Sequence, residues 1–271
     1  MPSAVVQRPQ LAMSVHDDSA EPAPAWACDA FRHLPALRGK LKPAEQSELR
    51  GTWERVAAWD ERARRLGHPP HWRLSDQQLE DTRRALLGEH LQAGQDLWVY
   101  GYGSLMWDPG FHFAEVRLAH LSGYQRRFTY WTHIARGTRE RPALMLTLER
   151  EASECCCTGL AFRIGGDVVD TESAMLWRRE MIRGGYCPAL LPLTTPQGPV
   201  TALVFACNHA HDDYAGAMTL DETAAVIAVA AGVIGTNREY LEQMARQLDS
   251  LKIADAYVEQ LLQRVRGVYG G

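Results

Sequence analysis

The chain of 271 residues has no apolar stretch long enough to cross a bilayer. Its longest, AAVIAVAAGVIG at 224–235, falls well short of the ~20 residues that a spanning helix needs. No membrane association is expected. It also has no surplus of positive charge: 29 basic against 33 acidic residues leave a net charge of −4. That excludes a broad electrostatic footprint for a nucleic-acid backbone. No CxxC pair occurs. The six cysteines (Cys28, Cys155, Cys156, Cys157, Cys187, Cys207) are spaced neither as zinc ligands nor as a small disulfide framework. Reduced cysteines in a cytoplasmic protein are the expectation, with an oxidation-sensitive thiol in the Cys155–Cys157 run as a minor alternative. No cationic segment followed by an apolar one opens the chain, so no secretory signal is expected. There is no internal repeat.

What is present is enough to build a core, since 46% of residues are apolar. The texture divides the chain into three. Residues 1–25, rich in Ala, Pro, Ser and Gln, bury too little to offset ordering and are expected to be disordered. Residues 26–95 read as a helical extension. GTWERVAAWDERARRLG carries Trp53, Val56, Ala57 and Trp59 at helical spacing and stops at Gly67. SDQQLEDTRRALLGEHLQ opens with Ser75 and Gln78 placed as a capping box.

From residue 96 to 271 short strands come first. LWVYGY is a continuous apolar run, RRFTYWTH is aromatic and β-branched, and ALMLTLE and TGLAFRI alternate with the period of a half-buried strand. Helical crossovers do not alternate regularly with these strands, which argues against a doubly wound parallel sheet. The expected class is α+β, a small mixed β-barrel with flanking helices. The tail is helical: Thr219/Glu222 and Thr236/Glu239 are further capping-box pairs, and Tyr240, Leu241, Met244, Leu248 and Leu251 share one face.

Two stretches carry chemistry. In LWVYGYGSLMWDPG, the third glycine of a dinucleotide fingerprint would fall at Met106, and WDPG follows instead of a helix. A nucleophile elbow around Ser104 would need glycines at Tyr102 and Met106. Both readings fail. What remains is a sharp turn whose successive N–H groups can cradle a carboxylate or oxyanion, or a strand-ending turn with no ligand. In DTESAMLWRREMIRGGY, Asp170 is placed as an N-cap and Gly184 as a stop, so 171–183 reads as helix. Glu180 then shares a face with Ser173, Leu176 and Trp177. An acid on an apolar face near a helix C-terminus has a raised pKa, suited to proton transfer near neutral pH. The alternative is an ion pair with Arg179, Arg183 or a distant arginine. Arg126, Arg127, His133 and the loop of Arg136, Arg139 and Arg141 have structural readings beside any role toward an anionic ligand.

The segments VYGYGSLMWDPGF, LSGYQRRF, RGTRERPAL, LWRREMIRGGY and YAGAMTLDETAAVIAVAAGVIGTNREYL run in this order from about Leu97 to Val265. Together they resemble the ChaC family of γ-glutamylcyclotransferases. The resemblance implies a γ-glutamylcyclotransferase-like barrel with flanking helices. It implies a lyase that cleaves glutathione into 5-oxoproline and cysteinylglycine without metal or cofactor. By position, Gly101, Tyr102, Gly103, Ser104, Leu105 and Met106 would hold the γ-glutamyl group. Glu180 would be the general acid/base, and Tyr240 would offer a pocket hydrogen bond. The implied partner is a small molecule, glutathione. Two alternatives stay open: ring closure on other γ-glutamyl amines, and a non-catalytic binding or regulatory module. The long front section, the cysteine run and the GVYGG tail depart from the family pattern.

Overall fold

The computed structural model describes residues 30–151 and 154–268, so the disorder expected for 1–25 lies outside the described residues. Strand β1 (Leu97–Gly101) lies in the middle of the molecule, with Leu97, Val99 and Tyr100 fully buried. Its sequence is apolar throughout because neighbours cover both of its faces. It pairs antiparallel with β5 (Cys156–Ile164) and parallel with β7 (Val200–Cys207). β2 (Glu115–Ser122) and β6 (Tyr186–Leu193) complete a five-stranded sheet of order β2-β5-β1-β7-β6. The sheet curls until its two edges meet, where His120 and Thr194 exchange backbone hydrogen bonds of 2.8 and 3.0 Å.

The α+β class and the mixed sheet agree with expectation, but among the described residues the strands do not close into one continuous barrel. β3 (Tyr124–Thr132) and β4 (Ala143–Arg150) form a separate antiparallel ribbon whose register shifts between Phe128 and Tyr130. Such a bulge bends a strand out of a regular ladder. The expected alternation in β4 is only partial. Leu144, Leu146 and Leu148 are buried, and so is Thr147, whose hydroxyl donates to the Arg127 carbonyl.

Helices α1 (Trp53–Arg65) and α2 (Asp76–Gln92) lie in the front section, each starting from a side-chain cap, Thr52 and Ser75. The Ser75/Gln78 box forms as the spacing predicts, and Gly67 takes φ +74° just past the end of α1. Leu37, Leu41, Leu79 and Leu87 join the same apolar core as the sheet. Buried polar contacts also fasten this section. Arg50 grips both oxygens of Glu172 at 2.8 Å, and Arg83 reaches Asp170 Oδ1 and Ser173 Oγ at 2.8 Å. Trp53, expected on a core face, is instead exposed beneath Arg178, whose guanidinium carbon lies 3.9 Å from the ring centroid.

Helix α3 spans Val169–Glu180, so it starts and ends earlier than 171–183. Asp170 is not the cap: its carboxylate is occupied by Arg83, and Val168 stands at the N-cap without a side-chain bond. Glu180 is therefore the last helical residue. Both later capping boxes form, on α4 (Leu220–Val229) and α5 (Asn237–Ser250), and α6 (Ala256–Val268) follows. On α5, Leu241, Met244 and Leu248 are buried as their spacing predicts.

Candidate active site

A cavity of about 330 Å³ opens where the turn after β1, the end of α3, the β3–β4 ribbon and the start of α5 meet the front section. Tyr102, Gly103, Ser104, Leu105, Glu180 and Tyr240 all line it. Tertiary structure thus brings together residues that the sequence holds nearly 140 positions apart. Gly101 and Met106 stand behind the wall. A β-carbon on Gly101 would come within 3.1 Å of both Leu105 Cβ and Phe162 Cε2, so the tight turn needs glycine there. Met106 is fully buried, and its carbonyl accepts from Gln247 Nε2 at 2.7 Å.

The turn is pinned from the rear and open at the front. Arg126, fully buried, donates from Nε to the Tyr102 carbonyl at 2.6 Å, and also bonds Thr158 O and Asp255. The Tyr102 hydroxyl donates to Phe205 O at 2.8 Å. A single 3₁₀ turn, Ser104–Met106, uses the Met106 N–H on the Gly103 carbonyl at 2.9 Å. The N–H groups of Gly103, Ser104 and Leu105 donate to no acceptor among the described residues. Backbone donors without an internal acceptor, on residues that line a cavity, are of the kind that can cradle an anion or a developing oxyanion.

Glu180 lies beside one positive charge. Its Oε1 lies 2.9 Å from Arg179 Nε, and the side chain keeps 14% of its exposure. No hydrogen bond reaches Oε2 among the described residues. Burial pushes the Glu180 carboxyl above the ordinary glutamate range, and the neighbouring Arg179 charge opposes that shift without cancelling it. The C-terminal end of α3 adds a further penalty on the anion. Burial raises the Tyr102, Tyr186 and Tyr240 hydroxyls, and the Glu180 charge raises each further. All three therefore remain protonated; the Tyr102 proton is already committed to the Phe205 carbonyl, which leaves Tyr186 and Tyr240 as donors beside the cavity.

The ion pair foreseen as an alternative for Glu180 exists, yet it occupies one side of the carboxylate only. Arg179 has other acceptors: Asp108 O at 2.7 Å, Pro109 O at 3.1 Å and Ser104 Oγ at 3.0 Å. It thereby ties the end of α3 to the turn. Sequence reasoning missed this role, and it missed Tyr186 and Tyr130. The GG before Tyr186 was a usable signal. A β-carbon on Gly185 would fall 2.4 Å from the Tyr130 ring, and Tyr130 and Tyr186 stack at 6.4 Å. Leu49, Trp59, Arg62 and Trp72 of the front section also line the cavity, which no local pattern announced.

Two of the remaining candidates have charged partners. Arg127 approaches Glu151 at 3.6 Å and His133 approaches Asp213 at 3.5 Å. Arg136 lines the cavity, whereas Arg139 and Arg141 do not. In the cysteine run, burial raises the Cys156 and Cys157 thiols, which disfavours the reactive thiolate. Among the described residues, Glu149, Cys207 and His209 place ligand-type atoms within 4.8 Å of one another. They lie outside the cavity lining, and His209 Nε2 is engaged with Glu149 at 2.5 Å.

The family model described as ChaC-like protein matches residues 97–268. The glutathione-specific gamma-glutamylcyclotransferase of Escherichia coli is 35% identical over 190 residues, covering 69% of this chain and 81% of that protein. Glutathione-specific gamma-glutamylcyclotransferase 1 of Danio rerio is 37% identical over 152 residues, covering 55% of this chain and 77% of that protein. A crystal structure of a glutathione-specific γ-glutamyl cyclotransferase from yeast superposes with a TM-score of 0.59 at 23% identity, covering 64% of this chain and 96% of that one.

Proposed function

This chain belongs to the ChaC-like family, and from that premise we propose that it is a γ-glutamylcyclotransferase that converts glutathione into 5-oxoproline and cysteinylglycine. One observation carries the reading: a carboxylate with one oxygen held by arginine and the other unbonded shares a cavity with three unused backbone N–H groups.

The chemistry follows from that arrangement. The γ-glutamyl α-amine arrives as an ammonium, which has no lone pair. Glu180 Oε2 accepts one of its protons. The freed amine attacks the γ-carbonyl carbon of the same residue, forming a C–N bond and a tetrahedral oxyanion. The proton then passes from Glu180 to the cysteinyl nitrogen, the original C–N bond breaks, and the re-formed Glu180 carboxylate takes the second proton from the ring nitrogen and yields it to the departing amine, which leaves as an ammonium. Both nitrogens sit on one carbon, so one acid can serve both steps. No water is consumed and no protein nucleophile forms a bond.

Holding the chain in an attacking conformer can contribute on the order of 7 kcal/mol, and acid–base help adds about 10²–10⁴-fold. In this reading the Gly103–Leu105 amides, with Tyr102 and Ser104, hold the γ-glutamyl group. Gly101 and Met106 shape the turn from behind, and Tyr240 donates a hydrogen bond. A cytoplasmic location belongs to the same proposal, and cell fractionation tests it.

The experiment is incubation of the purified protein with glutathione, with 5-oxoproline and cysteinylglycine quantified together. Equimolar release is expected, with γ-glutamyl-alanine turned over much more slowly. Folded protein that yields no 5-oxoproline overturns the reading and favours a binding module. Equal turnover of the two substrates overturns specificity alone.

A further inference from the structure

The turn and Glu180 account for one end of a γ-glutamyl peptide and leave the other end of the cavity unassigned. That wall is built by the front section, which precedes the family match at residue 97. Trp72 of this wall is held in place. Trp72 donates from Nε1 to Asp60 Oδ1 at 2.8 Å, and Arg73 clamps both oxygens of the same carboxylate at 2.8 and 2.9 Å. The Leu74 N–H bonds the Ile182 carbonyl at 2.9 Å, two residues beyond Glu180. The wall is therefore registered on the same segment that carries the acid.

Arg62 is the distinctive group on this wall. Four arginines line the cavity: Arg62, Arg136, Arg179 and Arg183. Arg136, Arg179 and Arg183 each have an acid within 4 Å, namely Glu239, Glu180 and Asp213. Arg62 has neither an ion pair nor a side-chain hydrogen bond among the described residues, although Asp60 and Glu61 are its near neighbours in sequence. Both acids are taken up by other arginines. Arg62 lines the cavity and is exposed to solvent, so its fork is free to take a carboxylate that enters from outside.

Resting on the proposed function, we infer that the front section is the leaving-group subsite. Arg62 binds the C-terminal carboxylate of the cysteinylglycine half, and Trp59 and Trp72 pack on the cysteinyl side chain. The substrate then spans two parts of the chain. The turn reads the γ-glutamyl end and the front wall reads the far carboxylate, which sets the preference for a free tripeptide acid over capped or shorter γ-glutamyl amines.

The test compares kcat/KM for glutathione and for its C-terminal glycinamide. Wild-type protein prefers the acid by about two- to fivefold, the scale of an ion pair at an exposed arginine. Arg62→Ala brings the ratio toward one, chiefly through KM for the acid. Arg62→Lys restores part of it. Arg64→Ala removes a neighbouring charge that does not line the cavity, and keeps the wild-type ratio. Trp59→Ala raises KM for acid and amide alike. An Arg62→Ala ratio equal to wild type, or a wild-type ratio of one, overturns the inference while leaving ring closure intact. Wild-type protein that makes 5-oxoproline from neither substrate removes the functional reading, and the inference falls with it.

Discussion

Glu172 and Glu180 stand at opposite ends of α3, and their surroundings differ in kind. Glu172 has all its lone pairs engaged: both Arg50 nitrogens at 2.8 Å, the His112 N–H at 3.1 Å and His112 Nδ1 at 2.8 Å. It lies in the first turn, where the helix dipole favours an anion. Glu180 lies in the last turn, where the dipole opposes one, and a single arginine holds one of its oxygens. Burial is common to both. A filled carboxylate fastens the front section to α3, whereas one with an unbonded oxygen beside a cavity can exchange protons with a ligand.

The strongest way to break this comparison is Glu180→Gln, which keeps shape and removes the proton acceptor. The rate of 5-oxoproline formation should fall by about 10²–10⁴-fold with an unchanged circular dichroism spectrum. Retained activity would end the distinction between the two glutamates. The complementary change is Glu172→Ala, which leaves Arg50 buried without its acid. Urea unfolding should show a loss of about 3–5 kcal/mol, with the rate per folded molecule near wild type. A rate loss as deep as that of Glu180→Gln would show that the filled carboxylate also serves the chemistry.

Tyr240→Phe sharpens the contrast on the ligand side. It removes one hydroxyl beside Gly103, where a β-carbon would stand 3.3 Å from that oxygen. A loss of roughly tenfold in kcat/KM is expected, the scale of one hydrogen bond. The smallest effect concerns pH. The raised Glu180 pKa means that the folded state favours the protonated acid. The associated stability is fully present below the ordinary glutamate value and is lost as pH rises through the raised one. Glu180→Gln and wild type should therefore unfold alike near pH ~4, and the variant should be the more stable near pH ~8, by about 1 kcal/mol or less. The acid limb of kcat/KM should likewise sit above the ordinary glutamate value. A variant less stable than wild type at the higher pH would mean that the Arg179 contact outweighs the burial penalty.

Local signals were legible wherever the physics is local. Ser75/Gln78, Thr219/Glu222 and Thr236/Glu239 cap their helices as read, because a capping box satisfies its donors within three residues. The turn and Glu180 were singled out by residue type and helical phase, and the resemblance to known motifs tied them to one chemistry. Asp170 misled for a related reason: its side chain had a distant partner, Arg83, and a cap is decided by competition for the carboxylate. The burial of both faces of β4 was equally hidden, since alternation reports polarity and not what packs above and below.

The sequence alone determined most of the helices and several of the strands, and it singled out one acid and one turn as candidates, because spacing along the chain encodes helix phase, strand alternation and turn geometry. Tertiary structure decided the rest. It brought the sheet edges together at His120 and Thr194, left Oε2 of Glu180 unbonded while Arg179 held Oε1, and set Trp59, Arg62 and Trp72 against the same cavity. Those facts depend on contacts between residues far apart in the chain, and no local pattern specifies which distant side chain will claim a given hydrogen bond.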